Sequence, residues 1–90
     1  MTRIAKLYAH VVENPRASLP FADFEQLLRA FGFELDRQRG SHRVYEHPLA
    51  LRPLIVQPRK DGTAKPYQVI ELLDMVEACQ LTIDQPTTDE

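Results

Sequence analysis

Phe33-Glu34-Leu35-Asp36-Arg37-Gln38-Arg39-Gly40-Ser41-His42-Arg43-Val44-Tyr45-Glu46-His47-Pro48 is the stretch whose reading decides the fold. Phe33 and Leu35 alternate with Glu34 and Asp36, the period-two pattern of a strand, and the pattern runs into Arg37. Arg39-Gly40-Ser41 is a turn signal, because glycine supplies the backbone angles a sharp reversal needs. A second strand follows from His42 to His47, and Pro48, which has no N–H for a ladder, ends it. A looser link through Leu49–Arg52 leads to Leu54-Ile55-Val56, a short β-branched run closed by Pro58. Three short strands with short links read as an antiparallel meander.

Helical periodicity flanks the meander on both sides. Upstream, Ile4, Leu7, Tyr8, Val11 and Val12 recur on one face, with Thr2 as N-cap and Pro15 as stop, which predicts a helix over 2–14. A second helix is expected to begin near Ser18 with Pro20 in its first turn and a stripe of Phe21, Phe24, Leu27, Leu28 and Phe31. Gly32 then supplies a left-handed C-terminal cap. Downstream, the polar loop from Arg59 to Lys65 precedes Pro66, which opens a last helix striped by Val69, Leu72, Leu73, Val76 and Cys79. Its other side carries Glu71, Asp74 and Glu77, a solvated face.

The order is helix–helix–β–β–β–helix, an α+β fold with a three-stranded antiparallel sheet and helices packed on one of its faces. It resembles the α-β-β-β-α layout of double-stranded-RNA-binding domains, with one extra helix in front. Ninety residues give one domain, expected over 1–81, followed by a frayed acidic tail over 82–90.

Composition removes several classes of function. The single cysteine, Cys79, excludes an internal disulfide framework and a cysteine-based zinc cluster, and reads as a small residue on an apolar stripe. No carboxylate pair at ligand spacing, phosphate-binding loop or dinucleotide fingerprint occurs, so neither metal nor cofactor is expected. No apolar run reaches the roughly 20 residues that span a bilayer. Lys6, His10 and Glu13 interrupt the opening apolar positions, which is unlike a secretory signal, and a cytoplasmic address is expected.

The net charge of −2 hides a segregation. From Arg37 to Lys65 there are seven basic residues (Arg37, Arg39, Arg43, Arg52, Arg59, Lys60, Lys65) against Glu46 and Asp61, while the remainder is strongly acidic. A positive middle between acidic flanks can bind phosphate without the whole chain being basic; its bland counterpart is an ordinary solvated surface.

The turn inside that basic stretch has the parts of an RNA-cleaving site. Gly40 lets the backbone approach a ligand, Ser41 offers a hydroxyl, and exposed turn N–H groups can hold a phosphate oxygen. His42 bears an imidazole, a group that can take or give a proton, and Arg39 and Arg43 can pair with phosphate in a bidentate fork. Metal-free cleavage needs a base for the ribose 2′-OH and cations for the charge that develops on phosphorus. Taken from the residues alone, a histidine after a glycine turn is more often a surface or hydrogen-bonded structural group than a catalytic one.

The segment Gly40-Ser41-His42-Arg43-Val44-Tyr45-Glu46-His47-Pro48 resembles the signature of the HicA toxin family, in which a glycine, a small residue and a histidine lead into a strand bearing an aromatic and often ending in His-Pro. The likeness continues through Leu27-Leu28-Arg29-Ala30-Phe31-Gly32-Phe33 upstream, and through Leu54-Ile55-Val56, Lys60-Asp61-Gly62-Thr63-Ala64-Lys65 and Tyr67 to Cys79 downstream, covering roughly Leu19 to Leu81. The resemblance implies a small mRNA endoribonuclease, the toxin of a type II toxin–antitoxin pair, needing no metal and blocked by a HicB-type antitoxin. It implies His42 as the catalytic residue. Arg37, Arg39, Gly40, Ser41, Arg43, Arg59, Lys60 and Lys65 are the expected RNA-binding set around it. There are departures: the last helix is often basic in the family but here carries Glu71, Asp74 and Glu77, Pro66 stands where a small residue is commoner, and the shortest members lack the leading helix.

Several roles stay open. His47 is a tempting second acid, yet alternation sends His42, Val44 and Glu46 one way and Arg43, Tyr45 and His47 the other, favouring a structural role for His47. Tyr45 could stack on a base, though an aromatic on a strand is more often core. Lys60, Lys65, Arg39 or a water could protonate the leaving 5′-oxygen. The competing reading is a non-catalytic module that binds RNA or a partner protein through the same surface.

Overall fold

A computed structural model describes residues 3–83. Within them run α1 (Arg3–Glu13), α2 (Phe21–Ala30), β1 (Glu34–Arg39), β2 (His42–Glu46), β3 (Leu54–Val56) and α3 (Pro66–Cys79). The sheet order is β1-β2-β3 with both pairings antiparallel, so β2 is central. This is the α+β meander expected from the sequence, laid out as in double-stranded-RNA-binding domains with α1 in front.

The sheet has one buried and one open face. Tyr45, Leu54 and Val56 are fully buried on the inner face and share a core with Phe24, Leu27 and Leu28 of α2 and with Val69 and Leu72 of α3. His42 and Glu46 are exposed on the outer face, and Ile55 is half-exposed there. The leading helix belongs to the same core: Ile4 and Val11 are buried, α1 packs on α2, and Tyr8 meets Phe31 edge-on at 5.2 Å. Arg3 fastens its start to α2 by donating to Gln26 at 2.7 Å. Thr2, the expected N-cap, lies outside the described residues.

Element ends follow local chemistry. Pro15 stands just past α1, as expected. α2 begins at Phe21 and not near Ser18, because the backbone before it is used elsewhere: Phe21 N–H donates to Gly62 and Ala64 N–H to Leu19. Pro20 is therefore extended and flanks the helix instead of opening it. At the other end Gly32, at φ +96°, closes a Schellman motif in which its N–H donates to Arg29 and that of Phe33 to Leu28. α3 ends in the same way at Gln80, whose φ of 53° is a left-handed conformation for a residue with a side chain. Of the expected tail, Thr82 is exposed and Ile83 packs half-buried against the core, while 84–90 lie outside the described residues.

Candidate functional site

Arg39 and His42 face each other across the two-residue turn that joins β1 to β2. Gly40 takes the left-handed φ of +57° and Ser41 does not, the pattern of a type II′ hairpin. An added Cβ at Gly40 would meet nothing within 4 Å, so glycine is required for its angle and not for room. Gln38 braces the turn by donating from Nε2 to the Gly40 carbonyl at 3.0 Å.

A bulge decides which side chains join His42. In an unbroken strand Leu35, Arg37 and Arg39 would share one face. Here the register shifts between Leu35 and Arg37, so Leu35 pairs with Tyr45, Arg37 with Val44 and Arg39 with His42. The extra residue, Asp36, thereby carries both arginines to the open side of the sheet. That side then has three cross-strand rows: Arg39 beside His42 at the turn, Arg37 beside Val44 and Ile55 next, and Glu34 beside Glu46 at the far end.

His42 and Arg39 are exposed, and neither side chain has a partner among the described residues. Arg37 reaches back to Asp36 at 3.3 Å, an exposed pair of little energetic weight. Ser41 is exposed at the corner. Imidazole and guanidinium thus stand adjacent, solvated and uncommitted at a rigid hairpin end.

Arg43 is not with them. Its guanidinium lies on the helix side, 3.6 Å from Glu25 and 4.9 Å from the centre of the Phe21 ring. Glu25 also accepts a hydrogen bond from the Tyr45 hydroxyl at 2.7 Å, and Arg29 lies 6.0 Å from the Tyr45 ring. The sequence grouping of Arg43 with His42 is corrected here: the strand's alternation turns it inward, where it ties β2 to α2. Tyr45 is a core residue with no exposed surface, and burial, followed by Glu25, pushes its phenol up to about 12.

His47 is structural. Its ring nitrogens are both occupied: Nε2–H donates to the Phe31 carbonyl at 2.8 Å while Nδ1 accepts from the Leu49 N–H at 3.0 Å. The second of these fixes the first as donor. Gly32 makes room for the ring, since a Cβ there would lie 3.1 Å from Nε2.

Arg59, Lys60 and Lys65 occupy the loop between β3 and α3. Because Val56 pairs with Arg43, β3 leaves the sheet at the turn end, and this loop starts on the same side of the molecule as His42. It is tightly tied: Arg59 N–H donates to Thr63, and Asp61 accepts from both the hydroxyl and the N–H of Thr63, which hold its carboxyl below the ordinary value. Arg59 and Lys60 are exposed; Lys65 is half-buried ahead of α3.

Two supporting residues were not singled out from the sequence. Glu25 is one; its only signal was a carboxylate beside Phe24 on an apolar stripe. Gln68 is the other, buried in the first turn of α3 and accepting the Gln57 N–H at 3.1 Å, which pins the exit of β3 to α3. Nothing in the sequence marked it.

A family model described as "HicA toxin of bacterial toxin-antitoxin" matches residues 21–75. The chain belongs to the HicA toxin family. The match starts at the first residue of α2 and runs into α3, so it contains the whole meander, the turn and the basic loop, while α1 stands outside it. No curated protein and no solved structure matches the chain. The family is one of toxins from bacterial toxin–antitoxin systems, which implies an antitoxin partner. Among the described residues, no helix is long and apolar enough to cross a membrane.

Proposed function

We propose that this HicA-family chain is an mRNA endoribonuclease that works without a metal, acts in the cytoplasm and is neutralised by a HicB-type antitoxin. The observation that carries the reading is His42: an exposed, unpartnered imidazole with the Arg39 guanidinium directly across the ladder on the same face. His42 takes the proton from a ribose 2′-OH, the 2′-oxygen attacks the adjacent phosphorus, and the bond from phosphorus to the 5′-oxygen breaks as that oxygen takes a proton from a water, with His42 returning its own proton to solvent afterwards. The products are a 2′,3′-cyclic phosphate and a 5′-hydroxyl. A positioned base contributes on the order of 10²–10⁴ in rate. Arg39, with Arg37 one row behind, neutralises the charge on the phosphoryl oxygens, an effect worth on the order of 10²–10³. The N–H groups at Gly40 and Ser41, with Arg59 and Lys60 on the neighbouring loop, complete the RNA-binding set, and Lys65 lies at its edge. Arg43 has no part in it, being held by Glu25.

The test is His42→Ala. It is expected to leave the circular dichroism spectrum and melting temperature unchanged, since the ring is exposed and has no hydrogen-bond or ion-pair partner among the described residues, and to abolish RNA cleavage in chelator together with growth inhibition. Equal cleavage by both proteins would overturn the reading. One observation favours the alternative of a non-catalytic module that binds RNA or protein: α3 has no basic residue in its last turn and carries Glu71, Asp74 and Glu77. Salt-sensitive RNA binding with intact RNA recovered from the wild type would establish that alternative.

A further inference from the structure

The middle row of the open face is out of character with the rows on either side. Val44 and Ile55 lie side by side across β2 and β3, with Ile55 50% exposed, and Arg37 completes the row on β1. An apolar pair on a solvated sheet face gains nothing from water. It sits one row, or about 7 Å, from His42 and Arg39. The third row, Glu34 opposite Glu46, is anionic and repels a phosphate chain. A polyanion is therefore welcome at the turn end and refused at the other, with an apolar shelf between.

We propose that Val44 and Ile55 form a platform for one unpaired base of the RNA, placed next to the nucleotide whose 2′-OH faces His42. This rests on the nuclease reading and adds to it a substrate form and a specificity-determining pair. The backbone phosphates take Arg39 and Arg37 while the base lies flat on the aliphatic shelf. A base inside a duplex is stacked on both faces and cannot do so, so the RNA is single-stranded at the cut. Because every base has an apolar face, the platform selects strandedness and not sequence. The acidic row ends the path, which keeps the footprint short.

The test uses a short single-stranded RNA and the same RNA with one abasic nucleotide beside the cut. The wild type and Ile55→Ala are compared, with Ile55→Thr as a variant that keeps strand propensity. The abasic substitution and Ile55→Ala are each expected to lower kcat/KM about fivefold, the scale of one lost apolar contact, and together to cost no more than either alone. Anisotropy titrations with the cutting nucleotide 2′-deoxygenated should show the same pattern in Kd, and annealing a complementary strand should protect the site. Ile55→Ala cleaving like wild type, or its penalty adding in full to the abasic one, would overturn the platform while leaving the nuclease reading intact. Loss of antitoxin protection with unchanged RNA kinetics would also overturn it, assigning the patch to a protein interface. Wild type that neither binds nor cleaves any RNA would end both.

Discussion

Tyr45→Phe separates the two roles open to that aromatic, and its size can be worked out. The ring has no exposed surface, and its hydroxyl donates to Glu25 at 2.7 Å. A hydrogen bond to a charged acceptor contributes about 2 kcal/mol. Removing the oxygen should lower the melting temperature by roughly 8–16 °C at neutral pH. The alkaline limb adds a second, sharper signature. Folding raises the Tyr45 phenol from 10.0 to about 12, through burial first and Glu25 second, against an opposing pull from Arg29 and Arg43. The fold therefore favours the protonated form. Its contribution is whole below pH 10 and is lost between pH 10 and 12, reaching about 1.4 kcal/mol of loss by pH 11. Phenylalanine has no proton to lose, so the wild type's advantage over Tyr45→Phe should shrink by that amount. Urea unfolding followed by circular dichroism at pH 7, 9, 10 and 11 measures it as a difference between the two proteins. Parallel stability curves would refute the burial argument. RNA cleavage at pH 7 should stay within about twofold of wild type wherever both proteins are folded, the scatter of an uninvolved site. A Tyr45→Phe protein that melts normally but cleaves poorly would put the ring on the RNA.

Arg39→Ala and Arg43→Ala should differ in kind. The first is expected to cut kcat/KM for RNA about 100-fold or more with no change in melting temperature, and the second to cost roughly 1–2 kcal/mol of stability through its Glu25 and Phe21 contacts. A common effect from both, by cleavage assay and thermal melt, would mean the two faces are wrongly assigned. His47→Ala strands the Phe31 carbonyl and the Leu49 N–H, and should cost about 2 kcal/mol in urea unfolding. Its loss of activity should track the unfolded fraction and leave the pH–rate profile in place. Gln80→Gly relieves a left-handed residue at the end of α3 and should raise stability by roughly 0.5–1 kcal/mol, seen as a melting temperature about 3–6 °C higher.

The element order and the two-faced sheet were legible because their signals are local. Pro15, Gly32, Pro48, Pro58 and Pro66 punctuate the chain, and Tyr45, Leu54 and Val56 keep the period of a strand with one buried side. The bulge at Asp36 was not legible. Glu34-Leu35-Asp36-Arg37-Gln38-Arg39 has one apolar residue, so it carries no phase against which a slipped residue would show. The start of α2 was missed because a distant loop holds Leu19 and Phe21 through backbone atoms. Such bonds leave no trace in side-chain pattern. Arg43 is a different case, since the alternation that removed His47 from the site also removes Arg43. Proximity in sequence to His42 had masked it.

In the nuclease proposed above, the imidazole of His42 has to be open to substrate yet held within a fraction of an ångström of its working position. A loop would give the first and lose the second. This fold obtains both by putting His42 at the start of β2, the central strand, where the backbone is fixed by Arg39 on one side and the following residue pairs with Val56 on the other. Directly beneath, Arg43 and Tyr45 point the opposite way and grip Glu25 of α2, so the strand cannot tilt without breaking partly buried polar contacts. The turn itself has only two residues and a glycine angle, too short to flap. The inward contacts of the odd-numbered residues on β2 thus hold the even-numbered ones steady, and that is the physical reason a residue as exposed as His42 can be a fixed one.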